Sequence, residues 1–266
     1  QQREICELIQ IGQETIRNAK MFRVHVSIRD ILRAVSIYEY MRDKENVYFV
    51  RDRINDFSSI HKKCLTIAIA LGYYLRLPVK EKGSNNNNGK ISIDRDWFLK
   101  QVEAKTSLKN FRQIVKETMI ELYDKTDIPL GVACTDSLLE NLFATTVCVD
   151  AKIPLIIVGP PGCSKTLSFT IVSDNMKGTR SKKQLYKSLR HMHPFRYQCS
   201  QHSTDLEIEA TYNAAIKRQK AFAGDQDFKL CEDISCVLLD EGNLPKEKRM
   251  SLKVIHYKLD HPEVAT

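Results

Sequence analysis

Two short runs in this sequence carry residues able to act on a phosphate chain. Residues 153–166 read Ile-Pro-Leu-Ile-Ile-Val-Gly-Pro-Pro-Gly-Cys-Ser-Lys-Thr, an apolar stretch opening into a glycine-bearing loop. Residues 236–241 read Cys-Val-Leu-Leu-Asp-Glu, a second apolar stretch ending in adjacent carboxylates. A triphosphate packs several negative charges into a small volume. It is held best by backbone N–H groups converging from a tight loop onto the positive end of a helix. Gly159 and Gly162 remove side chains where the chain must bend and approach the phosphates. Lys165 supplies a point charge to the β- and γ-phosphates, and Thr166 a hydroxyl ligand for Mg²⁺. Asp240 holds that metal through water, and Glu241 orients and polarises the water that attacks the γ-phosphate. The two runs together predict a pocket for ATP or a related triphosphate, its Mg²⁺ and a reacting water. The predicted phosphate loop comprises Gly159, Pro160, Pro161, Gly162, Cys163, Ser164, Lys165 and Thr166.

One position departs from the general pattern G-x-x-x-x-G-K-[ST]: the residue before the lysine is Ser164 rather than glycine. A Cβ at that place reshapes the phosphate cradle. Two other readings stay open. One is an ordinary Gly/Pro turn between a strand and a helix. The other is a loop that holds nucleotide without turning it over, since the motif says little about rate.

The elements that position these runs follow from periodicity. Ile5, Leu8, Ile9, Gly12 and Ile16 repeat at helical spacing. Ser27-Ile-Arg-Asp30 resembles a capping box opening a second helix with Ile31, Ala34, Val35 and Tyr38 on its inner face. Residues 82–90 form a polar, Asn-rich loop with no means of burying surface, and more helical sequence continues to about 126. A third region starts near Asp127. Thr135 caps a helix carrying Leu139, Leu142, Phe143 and Val147, and a strand is expected at 153–158. The loop and a helix to about Met176 follow, then a short basic helix at 181–190 and a strand near 195–199. A helix with Ile208, Tyr212, Ala215 and Ile216, a strand at 234–239 and a helix with Leu252, Ile255, His256 and Leu259 complete the pattern. Strands alternating with helices predict an α/β fold. A parallel sheet flanked by helices carries the ligand at the strand C-termini, preceded by an all-helical region.

Composition narrows the setting. The 266 residues are 42% apolar, enough for one large domain or two smaller ones. The most apolar run, 64–75, is too short to span a bilayer and reads as a buried helix. The eight cysteines form no C-x-x-C pair and fit buried thiols in a reducing cytosol, so a cytoplasmic location is expected. His191, His193, Cys199 and His202 match no closed four-ligand metal site and read as scattered structural residues. The net charge of +8 is densest in 177–196, with seven Lys/Arg and no acid. No aromatic ladder or recognition helix accompanies that patch, so a solvated surface is expected there rather than a nucleic-acid contact.

The residues quoted above resemble a known family. The loop at 159–166 looks like an AAA+ Walker A and Val-Leu-Leu-Asp-Glu at 237–241 like a Walker B. Within AAA+, the likeness is to the mysterin type, giant RING-finger AAA+ ubiquitin ligases, whose loops of the form G-x-P-G-x-S-K-S also carry serine before the lysine. Gln-Cys-Ser-Gln-His-Ser-Thr at 198–204 is similar to its Q-C-S-x-H-S-T stretch, and Leu-Lys-Val-Ile-His at 252–256 to its L-K-x-L-H. Ser-Ile-Arg-Asp at 27–30 is similar to the S-[LI]-R-D that begins a lid helix. Gly242-Asn243 departs from the small apolar residue and glycine that usually follow the glutamate.

The resemblance implies a helical lid of one AAA+ module at 1–45, a helical linker or insert at 46–126 and the core of the next module at 127–266. Arg29 is then a sensor-2 arginine serving the nucleotide of the preceding module. Its other reading is an exposed arginine in a capping turn. ATP and Mg²⁺ are the implied cofactors and neighbouring AAA+ modules of the same chain the implied partners. Ubiquitin-conjugating machinery would be engaged by other parts, because these residues show no RING cysteine pattern. The chain begins with Gln and reads as an excerpt, with sensor 1 and an arginine finger expected beyond Thr266. A third reading, a nucleic-acid remodeller, rests only on the basic patch.

Overall fold

A computed structural model describes residues 2–19, 27–49, 57–79, 93–224, 232–246 and 251–255. The Asn-rich stretch at 82–90 and the closing positions His256 and Leu259 lie outside them. The chain divides into two compact units, 1–124 and 125–266.

The first unit is helical: α1 (Gln2–Asn18), α2 (Ile28–Asp43), α3 (Glu45–Tyr48), α4 (Phe57–Gly72), a 3-10 turn at Tyr74–Arg76, α5 (Arg95–Lys105) and α6 (Phe111–Asp124). The expected cap is present: the Ser27 N–H donates to the Asp30 carboxylate at 2.9 Å. Asp30 also accepts from Arg76 Nη1 at 2.9 Å, tying the first turn of α2 to the turn after α4. The inner face of α2 differs from expectation. Ala34, Ile37, Tyr40 and Met41 are buried, whereas Val35 is exposed and Ile31 and Tyr38 are half-buried. The reason is the partner of α2, the apolar helix α4. Tyr38 lies at its rim, where its hydroxyl hydrogen-bonds His61 Nδ1 at 2.7 Å, and the stripe is rotated to suit. Tyr74, Phe98 and Phe111 form a triangle of rings 5.4–5.7 Å apart, Phe111 meeting both others edge to face, with Phe98 and Phe111 fully buried.

The second unit holds the site. Here α7 (Asp136–Asp150) is capped by Thr135 Oγ1, which accepts from the Leu138 N–H at 3.2 Å. It buries Leu138, Leu142, Phe143 and Val147 and packs on α8 (Lys165–Asn175). Asn175 closes the far end of α8: its amide takes the Asp127 N–H at 2.9 Å and donates to the Asp127 carbonyl at 3.0 Å. A 3-10 turn at Gly178–Arg180 and the short α9 (Gln184–Lys187) follow, in place of one basic helix over 181–190. Then come β1 (His191–Gln198), α10 (Asp205–Ala223) and β2 (Asp233–Asp240). The two strands pair in parallel, His191 opposite Asp233 and Gln198 opposite Asp240, with α10 as the crossover. Thr204 opens α10 in a capping box with Glu207.

The expected strand at 153–158 is not one. Among the described residues it pairs with neither β1 nor β2, and Ile156 and Val158 are 85% and 83% exposed. A parallel strand draws its hydrogen bonds from neighbours, so an apolar run forms one only where a neighbouring strand meets it. Among the described residues the sheet is a two-stranded parallel pair flanked by helices.

Packing in the first unit is tightest at Gly12 of α1, where an added Cβ would lie 2.6–2.9 Å from the fully buried ring of Tyr73. On an open helix face, Gly→Ala stabilises by up to about 1 kcal/mol. Against this ring, which cannot retreat, overpacking costs about 1–3 kcal/mol. Gly12→Ala therefore lowers the urea midpoint of the transition that includes this unit. An unchanged or raised midpoint contradicts the packing of α1 on Tyr73.

Candidate nucleotide site

The loop at 159–164 is shaped by two backbone demands. Gly159 sits where a Cβ would come within 2.6 Å of Cys163 Sγ, so the close turn requires glycine. Gly162 has φ +82°, the left-handed region, and Ser164 follows with φ 62° and ψ 23°. The serine thus adopts a backbone conformation that glycine takes at little cost. It forms the junction with α8, where the Ser168 N–H already donates to the Ser164 carbonyl at 2.9 Å. The positive end of an eleven-residue helix consequently faces the loop.

Lys165 folds back over this turn. Its Nζ donates to the carbonyls of Gly159 at 2.8 Å and Pro160 at 2.9 Å, and lies 3.6 Å from Cys163 Sγ. Pro160, Pro161 and Gly162 are exposed, and Cys163 is half-buried. A residue that motif spacing does not mark, Asn141 of α7, donates from Nδ2 to the Cys163 carbonyl at 2.7 Å. It braces the loop from the neighbouring helix. Nothing in its sequence position distinguishes it from any other polar residue of α7.

The second run reaches the first through one contact. Thr166 Oγ1, on the opening turn of α8, donates to Asp240 Oδ2 at 2.9 Å, across 74 residues of sequence. Asp240 is the last residue of β2, and its other oxygen accepts from the Glu241 N–H at 3.0 Å. The Thr166–Asp240 pair thus sets a hydroxyl beside a carboxylate, a donor set that would fit Mg²⁺ with Thr166 as direct ligand and Asp240 acting through water. Glu241 is exposed at φ 53°, beginning the turn closed by Leu244 N–H to the Glu241 carbonyl at 3.0 Å. That kink turns the chain out of the β2 direction immediately after Asp240.

Sequence-predicted residues thus divide into two sets. Gly159 to Thr166, Asp240 and Glu241 all belong to the second unit, and Thr166 and Asp240 are in contact. Arg29 belongs to the first unit, exposed on the first turn of α2. The basic stretch 177–196 is used partly within its own unit. Lys182 pairs with Asp127 at 2.8 Å, and the Arg190 guanidinium and N–H engage the fully buried Asp150. Cys148 and Cys236 have thiols pushed up to about 12 by burial, so both are protonated structural groups rather than nucleophiles.

Residues 131–266 match the family described as the RNF213 AAA domain. Over 97% of its length, the chain is 30% identical to the human E3 ubiquitin-protein ligase RNF213 and 28% identical to zebrafish (Danio rerio) E3 ubiquitin-protein ligase rnf213-beta. It is 34% identical, again over 97% of its length, to a Dictyostelium discoideum protein described as a putative uncharacterized transmembrane protein. The chain spans about 5% of the length of each of these relatives. No helix among the described residues is long and apolar enough to cross a membrane. The mysterin-type resemblance is borne out, and the chain belongs to the RNF213 AAA domain family.

Proposed function

We propose that residues 127–266 form the core of an ATP-binding and ATP-hydrolysing AAA+ module within a much larger protein. The observation that carries this reading is the 2.9 Å contact between Thr166 and Asp240, which joins two motifs 74 residues apart at the N-terminus of α8. The loop at 159–166 acts as a Walker A and the end of β2 as a Walker B. An entering β- or γ-phosphate replaces the Gly159 and Pro160 carbonyls as the partner of Lys165 Nζ, and backbone N–H groups around Gly162 and Ser164 cradle its oxygens. Thr166, and Asp240 through water, would hold Mg²⁺, which would neutralise charge on the phosphates, and Glu241 would orient water toward the γ-phosphate. The resulting cycle drives or gates movement between neighbouring modules of an E3 ubiquitin ligase, whose ubiquitin chemistry lies in other parts of the protein. Residues 1–45 serve as the lid of a preceding module, with Arg29 as its sensor-2 arginine, and 46–126 link the two. A cytoplasmic location accords with the buried free thiols of Cys64, Cys148 and Cys199.

A second reading is a nucleotide-holding module without turnover, favoured by the left-handed backbone at both Ser164 and Glu241. Bound ATP would then cement neighbouring modules by mass action alone. The two readings separate on Glu241. In the full-length protein with Mg²⁺, Lys165→Ala weakens ATP binding at this site at least about tenfold, the loss of one charge-assisted contact. Glu241→Gln leaves binding intact and slows single-turnover hydrolysis at this site about a hundredfold or more. Tight binding with no hydrolysis in either wild type or Glu241→Gln selects the holding reading. Unchanged binding in Lys165→Ala contradicts both.

The left-handed conformation of Ser164 is checked separately. Non-glycine residues in this region carry a cost of about 1–2 kcal/mol, and β-branched residues more. Ser164→Gly is therefore neutral or stabilising by up to about 1 kcal/mol, whereas Ser164→Val loses at least about 1 kcal/mol in denaturant unfolding. Equal stability of the two variants contradicts this loop geometry.

A further inference from the structure

We propose a second metal site, distinct from the Mg²⁺ pocket, in which His191, His193 and Asp233 hold a borderline transition ion, Zn²⁺ foremost. The parallel register places His191 opposite Asp233 at the start of both strands, and His193, two residues on, presents its ring on the same face. His193 Nε2 lies 2.7 Å and His191 Nδ1 3.0 Å from the same oxygen, Asp233 Oδ1. All three ligand atoms fall within 4.8 Å of one another. Tetrahedral ligands at ~2.0–2.1 Å from zinc are about 3.3 Å apart, so each imidazole–carboxylate pair need open by only about half an ångström to admit the ion.

The surroundings hold these groups in place. The His193 ring lies 4.1 Å from that of His191 and 4.3 Å from that of Phe222 on α10, while Arg218 covers the Phe222 ring. The buried Gln219 side chain donates to the Asp233 carbonyl at 2.9 Å and accepts the Ser235 N–H at 2.6 Å, fixing the first turn of β2. Such outer contacts orient ligands.

One group opposes the ion. Arg180 Nη2 is 3.3 Å from His191 Nδ1. Arginine can only donate, so a cation at this nitrogen displaces the guanidinium. Arg180 is exposed on a 3-10 turn and can swing aside. Three ligands, two nitrogens and one oxygen, leave a coordination position open to water. The cluster sits at the strand starts and the Thr166–Asp240 pair at the strand ends, about 23 Å away at ~3.3 Å per residue. Imidazole ligands also suit zinc, not the oxygen-seeking Mg²⁺.

The test is Zn²⁺ titration of the whole chain against a chromophoric chelator, without nucleotide or Mg²⁺. Wild type binds one equivalent, and His193→Ala and Asp233→Asn each weaken it tenfold or more. Arg180→Gln tightens it, and His202→Ala leaves it unchanged. X-ray absorption of the zinc-loaded wild type, which needs no variant to fold, shows imidazole nitrogen and oxygen neighbours. The proposal is overturned by no zinc uptake, by wild-type affinity in His193→Ala and Asp233→Asn, or by sulfur scattering that assigns the ion to cysteines.

Discussion

The parallel ladder between β1 and β2 is the constraint on which the second unit depends. Its register carries Asp240 to the strand end that meets Thr166 and leaves Asp233 beside the two histidines at the other end. A slip of one residue would reverse the face of every side chain on one strand and dissolve both clusters at once. The ladder is held by α10, capped by Thr204 and Glu207, whose Gln219 takes both a carbonyl and an N–H of β2. The chemistry at 240 and the packing of α10 are therefore one structural problem.

The loop at 159–164 poses a different one. It is bounded by α7 and α8, and its shape comes from contacts within a few residues: the Gly159–Cys163 approach, the left-handed Gly162 and Ser164, and Lys165 lying on two carbonyls. Asn141 adds one brace from outside. Strain in such a loop is tolerated because α7, whose Leu138, Leu142, Phe143 and Val147 are fully buried, packs on α8. The site thus combines a locally determined cradle with a carboxylate delivered from far along the chain.

That difference sets how much was legible in the sequence. Caps at Ser27, Thr135 and Thr204 are local chemistry, and the first and second were read from a few residues. The apolar run before Asp240 read correctly as a strand because its acidic end and its crossover helix both limit it. The apolar run at 153–158 carries the same kind of signal and forms no ladder, since strand formation requires a neighbour that composition does not specify. The face of α2 was misjudged at Val35 because α4, not periodicity, selects the buried stripe. Asn141 and Asp233 were invisible. Each acts through a partner 22 or 40 residues away, and only the folded chain supplies that proximity.

The proposed nucleotide pocket depends on Thr166 and Asp240 holding its metal. The measurement that tests it most directly is electron paramagnetic resonance of Mn²⁺ in place of Mg²⁺, bound with ATP to the full-length protein. In this account, phosphorus hyperfine coupling from the β- and γ-phosphates appears with wild type, and the component due to this site disappears in Thr166→Ala. A Mn²⁺–ATP spectrum identical in wild type and Thr166→Ala would contradict it, because the metal would then be held elsewhere.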